Sequence, residues 1–171
     1  KWDVNSTGAC KLSALHHAAK NGYEKILGLL IVRGANINIK DKYQRTPLCL
    51  ATKAGQYRIV DLLIKLKADI EQPDSSNNSP LHYACAYGWL NIAILLIESN
   101  HNVNKINNWK STPLEISILK GHYAITKYLI ENTQLDINAK FNKGNYSWLK
   151  LMKMFLPLWQ MKLTLKKKNI I

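Results

Sequence analysis

A single phrase recurs along this chain at one fixed step, from position 13 to 46, 79 and 112: Ser13-Ala14-Leu15-His16, Thr46-Pro47-Leu48-Cys49, Ser79-Pro80-Leu81-His82 and Thr112-Pro113-Leu114-Glu115. Gly22, Gly55, Gly88 and Gly121 follow each opening Ser or Thr at one shared offset. Leu29-Leu30, Leu62-Leu63, Leu95-Leu96 and Tyr128-Leu129 hold the next one. A period of this length belongs to a solenoid, whose units bury their apolar faces only against neighbours. The functional question therefore turns from which reaction to which partner.

The second unit shows the local physics. The Thr46 hydroxyl suits a helix N-cap, and Pro47 suits the first helical position, where its missing N–H has no partner to lose. Leu48, Ala51 and Thr52 share one face of that helix, and Gly55 follows where a left-handed cap is wanted. A second helix beginning near Tyr57 places Ile59, Leu62, Leu63 and Leu66 on one side and ends around Lys67. Ala68-Asp69-Ile70-Glu71 then leads into Pro73-Asp74, the start of a turn-rich connector. Five or six buried aliphatic side chains contribute roughly 8–15 kcal/mol, whereas ordering the backbone costs ~1–2 kcal/mol per residue. One unit cannot fold alone, so stacking must supply the difference.

The pattern Thr-Pro-Leu-His-x-Ala, then Gly, then Leu-Leu, then Gly-Ala-Asn-Ile-Asn resembles the ankyrin repeat, in four copies over residues 13–138. The resemblance implies an all-α repeat solenoid of stacked helix–turn–helix units with hairpin-like loops. The loops and first helices would line a concave binding surface. The units fall at 13–45, 46–78, 79–111 and 112–145. Residues 1–12 read as the end of a truncated preceding repeat, because Asp3-Val4-Asn5 stands one full period before Asn36-Ile37-Asn38. So read, the chain is a fragment of a longer array. Three departures carry expectations. Cys49 and Glu115 replace the motif His, which should break any ladder of hydrogen bonds from His16 and His82 in alternate units. Lys67, Asn100 and Thr133 replace the Gly after the second helix, and Lys and Thr accept left-handed backbone less readily than Asn. One extra residue before Asp136-Ile137-Asn138 predicts weaker order at that joint.

Nothing in the sequence argues for catalysis. His16 and His82 occupy a position that is structural in the resembled family, and no two histidines share the i, i+4 spacing of a helical metal site. The glycines form no phosphate-binding loop. Cys10, Cys49 and Cys85 show no CxxC, so neither a disulfide framework nor a zinc site is expected; Cys49 and Cys85 read as small buried hydrophobes. No cofactor, metal or small-molecule substrate is expected. With neither a cleavable signal nor a long uncharged apolar run, the chain is expected to be intracellular, cytoplasmic or nuclear.

The resemblance places candidate contacts at the loop tips and on the exposed side of the first helices: Lys42, Tyr43, Arg45 and Lys53, then Ser76, Asn78 and Tyr87, then Asn108, Trp109 and Lys120. His17, Lys20 and Asn21 would present the same surface in the first unit, and Ser75 and Ser111 join it in the later ones. Tyr, Trp and Arg dominate hot spots when central in a contact, so Tyr43, Tyr87 and Trp109 read as an aromatic stripe flanked by cations. The expected ligand is a protein partner with an acidic rim and an apolar centre, bound by a monomeric, non-catalytic scaffold. Nucleic acid is disfavoured. Of the net charge of +13, residues 1–140 hold only +6 (17 Lys/Arg against 11 Asp/Glu). The alternative function is the recognition arm of a larger enzyme, such as a kinase, ubiquitin ligase or ADP-ribosyltransferase, with its catalytic domain outside this sequence.

The other +7 lies beyond position 140, where the chain holds seven Lys and no acid. Two readings of the tail at 146–171 stay open. Its Leu, Met and Trp among Lys150, Lys153, Lys162 and Lys166-Lys167-Lys168 fit a basic amphipathic contact with an anionic membrane surface, weakened by Pro157. It also fits a fifth repeat translated out of frame. Shifting by one base restores Glu at Met152-Lys153, Ala at Trp159-Gln160 and Glu at Met161-Lys162.

Overall fold

The computed structural model describes residues 3–135. Its helices alternate as first and second members of pairs: α1 (Ala14–Asn21) with α2 (Glu24–Val32), α3 (Pro47–Lys53) with α4 (Tyr57–Lys65), α5 (Pro80–Tyr87) with α6 (Leu90–Glu98), and α7 (Pro113–Leu119) with α8 (Tyr123–Asn132). A single 3₁₀ turn, Ala9–Lys11, precedes them, and no strand occurs among the described residues. The tail at 146–171 and the extra residue before Asp136 lie outside the described residues.

Each first helix starts as its sequence demands. The Thr46 and Thr112 hydroxyls accept the N–H of Cys49 and Glu115, and Pro47, Pro80 and Pro113 fill the first helical position. The first helices α1, α3, α5 and α7 pack side by side along one layer, and the second helices meet each other more sparsely. Leu15, Leu48 and Leu81 from the first row and Leu27, Ile59, Leu63, Ile92, Leu96, Ile125 and Leu129 from the second are fully buried between the rows. Cys49 and Cys85 join this core as free thiols, and burial pushes both well above the ordinary thiol pKa, so they stay protonated.

The residues after the second helices separate by chemistry. Lys67 (φ 63°) and Asn100 (φ 66°) take the left-handed conformation that Gly34 (φ 87°) takes in the first unit. Thr133 instead stays extended at φ −127°, and its hydroxyl donates to the Leu129 carbonyl at 2.6 Å. A β-branched residue avoids the left-handed region most strongly. Lys67 is exposed and carries strain of about 1–2 kcal/mol that Gly would remove, set against about 0.4–1 kcal/mol of extra unfolded-chain freedom. Lys67→Gly is therefore expected to raise stability by about 0.5–1 kcal/mol in urea titrations. A loss would show that the strain is absent.

Candidate functional site

The connectors between units are built on an acid or amide that returns once per period: Asp41, Asp74 and Asn107. The Asp41 carboxylate accepts the N–H of Tyr43 at 2.8 Å and of Arg45 at 2.9 Å. Asp74 does the same for Ser76 and Asn78, both at 2.8 Å, and the Asn107 side chain for Trp109 and Ser111, both at 3.0 Å. Each side chain thus replaces the missing strand partner of a tight turn. Adjacent tips are stitched by backbone bonds: Lys42 N–H to Cys10 C=O, Ser75 N–H to Tyr43 C=O and Asn108 N–H to Ser76 C=O. The tips form one continuous, hydrogen-bonded edge. Residues 42–43, 75–76 and 108–109 occupy equivalent places along it.

On this edge Tyr43 is 46% exposed and lies between two cations, with Lys42 Nζ and the Arg45 guanidinium carbon each 4.8 Å from its ring centre. Trp109, 61% exposed, holds the same register two units on, with the small Ser76 between them. Tyr87 sits apart from this row, at the end of α5, with Lys53 Nζ from α3 at 5.9 Å. The expected stripe therefore divides into a loop row (Tyr43, Ser76, Trp109) and a helix row (Lys53, Tyr87, Lys120). Lys42, Asn108 and Lys120 are exposed, and Ser76 and Lys53 are half-buried.

Two predicted contact residues have internal partners. Arg45 closes on Asp41, its Nε at 2.8 Å and its Nη2 at 2.6 Å from one carboxylate oxygen. Burial alone would lift the Asp41 carboxyl, but these bonds and the N–H groups of Arg45 and Tyr43 hold it below the usual carboxylate range. Asn78 donates to Asp74 at 3.2 Å and accepts from Asn107 at 3.0 Å, so its amide ties two tips together. Tyr83 completes that cluster: burial and its 2.6 Å donation to Asp74 raise the phenol far above its ordinary pKa. The acids behind the edge are thus consumed from within, and Asn107 removes the third acid altogether. Lys42, Lys110, Lys53 and Lys120 set the sign of the outward face.

The motif histidines are structural. His16 Nδ1 accepts the Ser13 N–H at 3.2 Å and its Nε2 meets the Arg45 carbonyl at 3.0 Å; His82 repeats this with Ser79 at 3.1 Å and the Ser111 carbonyl at 3.1 Å. With Nδ1 an acceptor, Nε2 carries the proton and donates to the carbonyl of the last residue of its own unit. Cys49 reaches the Gln72 carbonyl at 3.6 Å, and Glu115 turns back to its own Thr112 N–H at 3.2 Å. The ladder is broken in alternate units, as the substitutions imply.

Two further ladders escaped the sequence reading. Gln56, Trp89 and His122 reach back one unit to the carbonyls of Lys20, Lys53 and Ala86, at 3.2, 3.4 and 3.2 Å. They satisfy orphan carbonyls at the ends of α1, α3 and α5. Their regular spacing was visible, but an amide, an indole and an imidazole share no residue type to betray it. Likewise Asn5, Asn38 and Glu71 each accept the N–H that opens the next connector, at Asn36 (2.8 Å), Asp69 (2.9 Å) and Asn102 (2.6 Å).

Among the described residues no group of three or more His, Cys, Asp or Glu could hold a metal, and no helix is long and apolar enough to cross a membrane. No curated protein matches the chain. A family model of ankyrin repeats (3 copies) matches residues 1–74 and again 66–141. Stacked helix pairs, histidine bridges from first helix to connector and a turn-built edge agree with that match: the chain belongs to the ankyrin repeat family.

Proposed function

We propose that this array binds a protein partner with an acidic rim, along the loop row and the helix row described above. Ankyrin repeats are in general protein-interaction modules and typically not catalytic; the finer reading is the choice of surface and partner. The observation that carries it is Tyr43, an exposed ring held between Lys42 and Arg45 with the counter-charge of Arg45 supplied from the buried Asp41. A ring fixed by its neighbours loses little freedom on binding, and central aromatics account for a large share of interface energy. Trp109 offers a second anchor on the same edge. Lys42, Lys53 and Lys120 steer acidic groups toward it, Ser76 and Asn108 leave room between the anchors, and Tyr87 extends the contact onto α5. Arg45 and Asn78 act by positioning the tips.

The test is selection of random peptides by the immobilised array. Acidic, aromatic-containing sequences are expected to be enriched, and their binding is expected to weaken with salt. Tyr43→Ala/Trp109→Ala is expected to cut affinity by about 100-fold or more, since each hot-spot aromatic is worth about 2 kcal/mol or more. Retention of the same peptides by the double variant would dismiss this surface.

A further inference from the structure

The loop tips share a backbone but not a charge. Lys40, Lys42 and Arg45 stand on the first tip; at the same registers the second holds Pro73, Ser75 and Asn78, and the third Ile106, Asn108 and Ser111. Lys110, where the earlier tips have Gln44 and Asn77, is the cation the third tip gains. Lys40 and Lys42 are exposed, and on the third tip so is Ile106, at 42%. The edge thus runs from a cationic tip at Tyr43, over one without cations at Ser76, to an apolar tip with one lysine at Trp109. Its backbone donors are all used. Lys42 gives its N–H to the Cys10 carbonyl, and Tyr43, Gln44 and Arg45 give theirs to Asp41. Residues 75–78 and 108–111 repeat this on the preceding tip and on Asp74 and Asn107. No N–H is left on the tips to donate to an added strand, so a partner is read by side chains.

The same hydrogen bonds set the spacing. Each tip is a turn whose two arms are closed by one backbone bond, Asp41 N–H to Arg45 C=O, Asp74 to Asn78 and Asn107 to Ser111, at 3.0, 3.0 and 3.1 Å. Paired arms at ~4.8 Å each give about 10 Å per unit, hence about 20 Å from Tyr43 to Trp109. An extended chain covers that distance in about six residues of ~3.3 Å, and an even step returns the side chain to the same face. We propose that this edge is a ruler for an extended acidic segment of a partner protein: one apolar side chain packs on Tyr43, a second about six residues away packs on Trp109 and Ile106, and the acidic residues flank the first. The small Ser76 lets the segment pass between its anchors, and Lys40 and Lys42 face its acids. Resting on the partner surface proposed above, the ruler adds the register, the conformation and the end that takes the charge.

The test titrates the 171-residue chain into fluorescein-labelled synthetic peptides and reads their anisotropy. Each peptide carries two phenylalanines in a Ser/Thr background, separated by about four to eight positions or by about fourteen. Three glutamates surround the first ring in one set and the second in another, since either chain direction is allowed. Separation by six is expected to bind about tenfold tighter than by five or seven, which turn one ring away, and tighter than by four or eight. Moving the glutamates to the midpoint, over the cation-free second tip, is expected to weaken binding by the wild type about fivefold and by Lys40→Ser/Lys42→Ser about twofold or less. A flat series among peptides that Tyr43→Ala/Trp109→Ala no longer binds overturns the ruler alone. So does an optimum at a separation of about fourteen, where a helix presents both rings on one face. Failure of every peptide in the series, while peptides selected from random libraries bind, has the same meaning. Equal binding by the wild type and the Tyr43→Ala/Trp109→Ala variant overturns the surface on which the ruler rests.

Discussion

Between pH 6.5 and pH 4 the array is expected to lose about 3 kcal/mol of stability through His82 alone. Its ring is buried between Ser79 at the start of its unit and the Ser111 carbonyl at the end of the same unit, with Nδ1 facing a backbone N–H. Burial first, then the nearby His101 and Lys105, push its pKa down to about 4, against the Ser111 carbonyl and Asp74, which pull it up. The unfolded chain, with an ordinary pKa of about 6.5, therefore takes up the proton first as the solution is acidified. The His82 contribution is constant above pH 6.5, falls between 6.5 and 4, and levels off below. A gap of about 2.5 units at about 1.36 kcal/mol per unit gives the magnitude. Burial also lowers the pKa of His16 and of His101, and both add to the loss with the same sign. Asp69, held low mainly by Gln72, and Asp41 contribute only below their unfolded pKa, under about pH 4, and Glu115, lifted by burial, opposes them slightly. Urea unfolding at several pH values from neutral down to about 4 measures the curve. His82→Gln keeps an amide donor for Ser111 but cannot titrate. It is expected to be about 1–2 kcal/mol less stable at neutral pH and, because it escapes the loss of about 3 kcal/mol, to be the more stable of the two by about pH 4. Parallel curves for the two proteins would remove His82 as the source.

How much of this was legible in the sequence depends on whether a position keeps one residue type. Ser13, Thr46, Ser79 and Thr112 stay hydroxyl, and the leucines two residues on stay leucine, so the caps and the core could be read directly. The break in the histidine ladder was equally readable, because Cys49 and Glu115 cannot span to the next carbonyl. The contact surface was only half legible. Tyr43 and Trp109 were visible as exposed aromatics on loop tips, but Arg45 and Asn78 look like free polar groups until the fold brings Asp41, Asp74 and Asn107 against them. The exposure of Ile26 on α2 was hidden for the opposite reason: it looks like any other core isoleucine, and only its burial separates it from Ile59, Ile92 and Ile125.

Gly55→Ala is expected to cost about 3 kcal/mol, and Gly121→Ala only about 1 kcal/mol, although both glycines have φ 75°. The left-handed backbone penalises any Cβ at either site by about 1 kcal/mol. What differs is the neighbour. A Cβ on Gly55 would stand 2.7 Å from Cε2 and Cζ2 of Trp89, whereas one on Gly121 meets nothing within 4 Å among the described residues. To admit the methyl group the indole must swing away, which breaks its Nε1–H bond to the Lys53 carbonyl and uncovers the end of α3. That bond is worth about 1 kcal/mol, and the lost packing of a large ring adds about as much again. A double-mutant cycle isolates the close approach: in a Trp89→Ala background, Gly55→Ala should fall to the cost of Gly121→Ala, with a coupling of about 2 kcal/mol between the two sites. If Gly55 and Gly121 cost the same in the wild-type background, the glycine is there for its φ alone. Coupling of the expected size would instead mean that the Gly-to-ring contact fastens α6 to the unit before it.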